Sequence, residues 1–561
     1  MPCPMTDQPS LSPNESPPGS PHLIRHFRQI LLWPLQLEFQ APEAELAEPW
    51  RILERGDSPW SRGECNITYD PDKTRERHYK EFVSFLPYVQ RFLYGDSRAR
   101  ADGNDHADSN APMQVFRRRD IATLRVTLKP GDKPILLDVA HVDLIFFYDV
   151  DVVFLKVEIS TDDLPWDTAL ELLHRFGRAY PSGWDASGQG VHNAYRSEWL
   201  GADGKVLAAS DSENREKFLC FVNEYRAPCL ASHWAYLLRP LVLEHEGEEA
   251  EVRYRQLEYH RMPMMAYLAL DNPRELTPDD FIHLGLINAF RPGDPLPRRD
   301  PAVAEFESRY CDDRYWTDTD SGPNTRAICT GNTLVVVGEA QSNYFRNEVH
   351  GILAQFRHQF MLLFLIAHFH RAALLVFSDR MMDAISELDI RSTKSQMRFR
   401  KHIRDSFEAF LRFTHRYWFH ELSERAQVQG LFHRCTTYLG NDVKYRDVKE
   451  EIRDMSQYLD SDTQRRQSNT VVRLTVVTTF GLIGTVVTGF LGMNLLAAAD
   501  ASFGLKFLYF VGVMLAASVL TLFTVAKSKP LSDFLEALSD GGVESGAALA
   551  SLRRVWHKEE A

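Results

Sequence analysis

Cysteine is scarce in this chain of 561 residues, and what there is lies scattered. The seven thiols are Cys3, Cys65, Cys220, Cys229, Cys311, Cys329 and Cys435, with no C-x-x-C pair among them. Such spacing suits reduced thiols in a cytoplasmic domain better than a disulfide frame or a zinc site. A basic excess is missing too. The net charge is −13, so nucleic acid is not an expected partner, because phosphate contacts need a basic face. The opening "MPCPMTDQPSLSPNESPPGSPH" lacks the apolar core of a secretory signal and reads as a disordered leader rich in Pro and Ser. No G-x-x-x-x-G-K-[ST] phosphate loop occurs; "SGQGVHNAY" from Ser187 is a loop with two glycines. "HRYWFHELSER" has no second histidine at metalloprotease spacing. With no nucleophile–base motif or cofactor loop, the chain does not read as an enzyme.

Strand and helix signals fill the N-terminal half. "IATLRVTLK" and "KPILLDVAHVDLIFFYDVDVVFLKVEIS" are rich in Val, Ile and Phe, with a turn at Pro130-Gly131 between them. "PWDTALELLHRFGRAY" then carries apolar residues at helical spacing. Strands with a covering helix after them predict a layered α/β domain. From Gly183 to Arg326 the pattern is of loops and short helices, with a further strand at "NTLVVVGEA". The eighteen residues Phe360–Phe377 are apolar enough to pass for a membrane span, yet they contain His368, His370 and Arg371. An arginine in hydrocarbon costs at least ~2.5 kcal/mol. The segment therefore reads as a buried helix of a helical core, with a third span or re-entrant helix as the alternative.

Ser392–Gln467 is charged and helical, interrupted near Gly440-Asn441. Tyr445, Val448, Ile452, Met455 and Leu459 form an a/d seam of the kind found in a bundle stalk. No Pro or Gly stands between Val443 and Phe480, so the stalk is expected to run unbroken into an apolar segment. That segment, Leu474–Ala499, is uncharged for 26 residues, and a second, Phe507–Ala526, is uncharged for 20. Each is long enough to cross a ~30 Å hydrocarbon core. Arg465, Arg466 and Arg473 precede the first segment, and Lys527 and Lys529 come after the second. The positive-inside tendency then places both termini in the cytoplasm. The first segment holds Thr475, Thr478, Thr479, Thr485 and Thr488 with Gly481, Gly484 and Gly489, small and hydroxylated residues that allow close helix approach. Val471, Thr478 and Thr485 share one face, with Leu474 and Leu482 beside them. Two helices cannot enclose a wet pathway, so conduction would require several copies with these residues lining a pore. A tight helix interface without a pore, in a non-conducting membrane-anchored sensor or scaffold, is the competing reading.

Gly492-Met493-Asn494 at the outer end of the first segment, with the second segment after it and a cytoplasmic bulk before, resembles the CorA family of magnesium and related divalent-cation channels. The resemblance is specific over about Val443–Lys529 and architectural before that. It implies an α/β cytoplasmic domain plus a long helical stalk and a two-helix transmembrane hairpin, assembled as a pentameric funnel in the inner membrane. The corresponding plan is a leader at 1–22, the α/β domain at 23–340, a helical bundle and stalk at 341–468, and a pore-lining span at 469–494. An external loop at 495–506, a second span at 507–526 and a cytoplasmic tail at 527–561 complete it. The resemblance further implies a homopentamer that carries Mg²⁺ inward, with Co²⁺, Ni²⁺ or Zn²⁺ as other cargo and Mg²⁺ as a regulatory ligand. Gly492, Met493 and Asn494 would then form the mouth, where Asn494 meets the hydrated ion, Met493 packs and Gly492 lets the backbone turn.

Two departures stand out. Familiar members carry a Met-Pro-Glu-Leu-like acidic stretch after the triplet, whereas "LLAAADASFGLK" has only Asp500. The chain also continues more than thirty residues past the second segment. The densest acidic cluster, Glu244, His245, Glu246, Glu248 and Glu249, is a candidate metal sensor or a solvated loop. His415, His420 and His433 are zinc-ligand candidates or surface residues.

Overall fold

The computed structural model describes residues 23–39, 49–56, 58–62, 83–94, 112–147, 149–246, 250–257, 261–287, 300–316, 324–389, 392–497 and 502–526. The chain divides into two compact units, one ending at Glu450 and the other beginning at Glu451.

The first unit is built on one mixed sheet. Its strands are β1 (Leu23–Phe39), β2 (Trp60–Arg62), β3 (Met113–Arg118), β4 (Thr123–Thr127), β5 (Ile135–Phe147), β6 (Val152–Pro165), β7 (Arg196–Leu200), β8 (Val206–Ala209), β9 (Val242–Leu243), β10 (Val252–Gln256), β11 (Met264–Leu270), β12 (Cys311–Tyr315), β13 (Thr325–Cys329) and β14 (Thr333–Glu339). They pair in the order β12-β13-β14-β11-β1-β6-β5-β4-β7-β8. β1 is long enough to serve two neighbours on its outer edge, β11 along its first half and β10 along its second. β5 does the same with β4 and β3. All pairs are antiparallel except β11 with β14 and β9 with β10. The stretch between Gly183 and Arg326 thus supplies strands β7 to β12 and the start of β13, in addition to the helices Arg215–Tyr225, Ser232–Leu238 and Pro278–Leu286.

β1 and β6 are buried on both faces, so each reads as a nearly continuous apolar run. On one face Leu31, Trp33, Leu35, Val153, Leu155 and Val157 join the main core. That core includes the helix Trp166–Arg175 and an aromatic cluster in which Trp234 lies 5.3 Å from Phe176 and 5.9 Å from Trp199. The other face alternates charge with apolar residues. There Glu158 accepts from Arg28 and Arg357 at 2.7 Å each, and Lys156 stands 3.5 Å away. Asp143 accepts from Arg117 at 2.8 Å and meets Lys156 at 3.4 Å. Burial would push both carboxyls up, but Lys156 and the surrounding guanidinium groups more than offset it and hold them below the usual carboxylate range. Arg357 reaches this cluster from a single π-helical turn, Phe356–Phe360, a wider winding that re-aims side chains within a helix.

The apolar helix Met361–Ser386 packs on the same face, against β1 and β6. Ile352–Ser386 is, among the described residues, the one helix long and apolar enough to cross a membrane, and 83% of its apolar window is buried inside the protein. Four of its polar residues have partners in the first unit. His370 donates Nε2–H to the Tyr417 carbonyl at 2.7 Å, and burial lowers its pKa to about 3. Arg371 donates to the Leu439 carbonyl at 2.6 Å, at the C-terminus of the helix Ala426–Leu439, where a cation complements the helix dipole. Arg380 pairs with Asp151 and Asp379 with Arg255. The helix Thr393–Arg416 completes this layer.

Ala426–Leu439 ends at Gly440, whose φ of +70° is the left-handed cap that glycine adopts without strain. At the next residue a new helix begins, Asn441–Ala497, unbroken for 57 residues. The expected seam is visible along it: Val448 and Ile452 are buried and Tyr445, Met455 and Leu459 half-buried, while Tyr458 is exposed. Tyr445 stacks on Trp418 at 4.4 Å. A further helix, Phe503–Ala526, lies in the second unit.

Candidate functional site

The long helix carries the residues that the sequence singled out. Val471, Leu474, Thr478, Leu482 and Thr485 fall at steps of three and four, which a helix sets on one stripe. All five are exposed in the single chain; Val471, Leu474 and Leu482 stand 62%, 63% and 66% open. Val476, half a turn round, is buried.

The threonines on this helix do not reach for distant partners. Thr475 Oγ1 donates to the Val471 carbonyl at 2.9 Å, Thr478 to Thr475 at 3.0 Å, and Thr485 to Gly481 at 2.9 Å. Thr479 and Thr488 bond back in the same way. A hydroxyl has one hydrogen and two lone pairs. With the hydrogen engaged in the helix's own backbone, what Thr478 and Thr485 present outward is acceptor oxygen. That is the polarity a cation's hydration shell requires, since bound water points its hydrogens away from the ion.

Gly492, Met493 and Asn494 lie within the helix, which continues to Ala497. The turn expected at Gly492 is therefore absent there: Leu495, Leu496 and Ala497 are good helix formers, and they extend the helix past the triplet. The side chains of the triplet and Asp500 lie outside the described residues, as does the tail at 527–561. In the Phe503–Ala526 helix the described apolar side chains are turned outward. Phe503, Leu508, Tyr509, Leu515 and Val519 are each more than half exposed. Over the described residues, the apolar helical stretches of this region are Thr470–Thr479 and Phe503–Val513.

Other candidates from the sequence are placed apart from this helix. Glu244 meets Glu38 of β1 in a carboxyl–carboxylate hydrogen bond; burial, Glu244 and nearby Asp383 push the Glu38 pKa up to about 7. Glu248 and Glu249 lie outside the described residues. His415, His420 and His433 are exposed. Among the described residues no group of three or more His, Cys, Asp or Glu is arranged to hold a metal ion. Reading the sequence missed the Glu38–Glu244 pair, because the two are remote along the chain and only the strand register joins them. It also missed the thiols of Cys329 and Cys435, 3.2 Å apart in the core between β13 and the helix Ala426–Leu439.

Residues 366–527 match the family model described as CorA-like Mg²⁺ transporter protein. The match spans both C-terminal helices and the Gly-Met-Asn triplet, and leaves the first 365 residues outside it. No curated protein and no solved structure matches the chain. A family of transporters also fits the reading of the chain as a non-enzyme.

Proposed function

We propose that this chain is one subunit of a homopentameric divalent-cation channel that carries Mg²⁺ into the cell. The single observation behind this reading is the family match over 366–527, which contains the triplet and both helices. The physical chemistry of the long helix supports it. Five copies that brought the stripe Val471–Thr485 together would alternate rings of aliphatic side chains with rings of acceptor oxygen from Thr478 and Thr485. Hydroxyl oxygen holds a hydrated Mg²⁺ without stripping it, so the ion can leave as readily as it enters. At the mouth, Asn494 would offer neutral carboxamide oxygens to the same hydrated ion. Met493 is a packing residue there, because a thioether is soft and Mg²⁺ is hard.

The driving force needs no nucleotide. An inside-negative potential of 100 mV supplies ~2.3 kcal/mol per charge, hence ~4.6 kcal/mol for a divalent ion, enough for roughly a thousandfold accumulation. Both termini, and the sheet-bearing body with them, are placed in the cytoplasm.

One observation favours a second cargo. With Asp500 the only acid between the triplet and Lys506, the mouth lacks the carboxylates that would concentrate a strongly hydrated ion, and Zn²⁺, Co²⁺ or Ni²⁺ becomes the alternative. Uptake into liposomes, metal by metal, separates the two. Asn494→Ala should abolish Mg²⁺ flux while leaving the mass of the detergent-solubilised particle unchanged. Undiminished flux would remove the carboxamide ring from the mechanism, and an absence of flux in the wild type would make the helices an anchor.

A further inference from the structure

Two buried thiols, Cys329 of β13 and Cys435 of the helix Ala426–Leu439, face each other with their sulphurs 3.2 Å apart. They are 1% and 0% exposed, and 106 positions separate them along the chain. Around them the sheet and the helix are in backbone contact. The turn from β13 to β14 closes with the Thr330 N–H donating to the Thr333 carbonyl at 3.0 Å. Gly331 within it holds φ +92°, and a Cβ added there would stand 3.0 Å from the Tyr438 carbonyl carbon and 3.2 Å from the Leu439 nitrogen. Only glycine lets this turn sit on the last turn of the helix. At the next residue Gly440 caps that helix, and the 57-residue helix begins.

The two sulphurs are not equivalent. Cys435 donates its S–H to Cys329; with the Gly331 backbone N–H and Arg434, this outweighs burial and pulls the Cys329 thiol below its usual pKa. The same bond, with burial, pushes the Cys435 thiol well up. Where no such donor stands by, burial raises the thiols, to about 11 for Cys229 and about 12 for Cys311. The thiolate is the form that attacks an oxidant, and a second thiol in contact with it resolves the product. Cys329 and Cys435 have that relation of reactive sulphur to resolving partner. The pair lies one strand in from the β12 edge of the sheet, beside the half-buried Arg434 and Thr436. Local opening there admits an oxidant scarcely larger than water.

We propose that Cys329 and Cys435 are a redox modification site, which closes a reversible disulfide when hydrogen peroxide is present. The Cys329 thiolate attacks one peroxide oxygen, displaces hydroxide and becomes a sulfenic acid. Cys435 gives up its proton, attacks that sulphur and expels hydroxide, which closes the S–S bond. Two thiols and one peroxide yield one disulfide and two waters; the thiols lose the two electrons that the peroxide gains. The bond ties β13 to the helix Ala426–Leu439 across 106 positions, a constraint that acts chiefly on the unfolded chain. The site does not rest on the transport reading.

Peptide mapping tests this on the purified full-length protein, treated with hydrogen peroxide while folded and then alkylated. The dose is the one that oxidises the exposed thiol of Cys220. The wild type should yield the Cys329 and Cys435 peptides joined, two hydrogens lighter than their sum, and dithiothreitol should separate them. Its unfolding midpoint should rise on oxidation and return on reduction. Cys435→Ala should stop at the first step and leave a Cys329 sulfenic acid that dimedone traps. Cys329→Ala should give about tenfold less trapping at Cys435, since the thiolate fraction falls about tenfold per pKa unit. Both thiols left reduced at that dose, a disulfide from either to another cysteine, or equal trapping in the two variants overturns the proposal.

Discussion

Glu38 is the residue whose environment makes the sharpest statement about pH. Its carboxyl is raised to about 7 by burial, by Glu244 and by Asp383. The proton it keeps below that pH bonds it to Glu244; above it, two carboxylates face each other. A carboxyl whose folded pKa exceeds its unfolded value of ~4.3 binds more protons when folded, so stability falls as pH rises between the two values. The unfolding midpoint should therefore drop from pH 5 to pH 8, and Glu38→Gln should flatten that slope. A slope left intact in the variant would place the titration elsewhere. Residues of this kind were invisible in the sequence. His368, His370 and Arg371 were visible as anomalies in an apolar run, but the partners of the last two, the carbonyls of Tyr417 and Leu439, sit 47 and 68 positions away and depend on tertiary packing.

Individual helices were more legible, because their signals are local. The absence of Pro and Gly from Val443 to Phe480 fits the unbroken helix that spans it, and Gly440 marks its start as the composition suggested. The break between Arg416 and Ala426 was not legible. "YWFHELSER" contains neither Pro nor Gly, and that chain is turned by long-range bonds: His370 holds the Tyr417 carbonyl, and Ser423 Oγ donates to the Ser84 carbonyl at 2.5 Å. The middle of the chain was obscure for a related reason. Its strands are short; β12 becomes a strand through β13, and β7 through β4 and β8 on either side of it. At Gly440 an added Cβ would meet nothing within 4 Å, so a substitution there reports backbone strain alone. Gly440→Ala should destabilise the protein by about 1 kcal/mol, the cost of a left-handed non-glycine residue. Chemical denaturation measures it, and no change would mean that the two helices tolerate another joint.

For the whole molecule, the outward apolar side chains of the second unit need cover, from lipid or from other copies. If the proposed pentamer brings the stripe through Thr478 to a common axis, Thr478→Cys should cross-link under mild oxidation into disulfide-linked dimers, since one thiol per chain joins only two chains, and a lysine-reactive cross-linker on the wild type should give a ladder that stops at five. Cysteine variants that stay monomeric, or lysine ladders beyond five, would contradict that arrangement. Sequence reading recovered the layered body and located the helices that match a transporter family, since both rest on patterns within a few dozen residues.

β1 has a consequence for how such a body is made. It is the first strand among the described residues, yet its edges are completed by β6, whose last residue is 165, and by β10 and β11, which end at 256 and 270. Until residue 165 has emerged β1 thus has no neighbour on either side, and its second edge stays open until β10 and β11 follow. Contacts of such sequence separation form late and slowly. Chaperone dependence during birth, more than fragility once finished, is the vulnerability that this topology builds in.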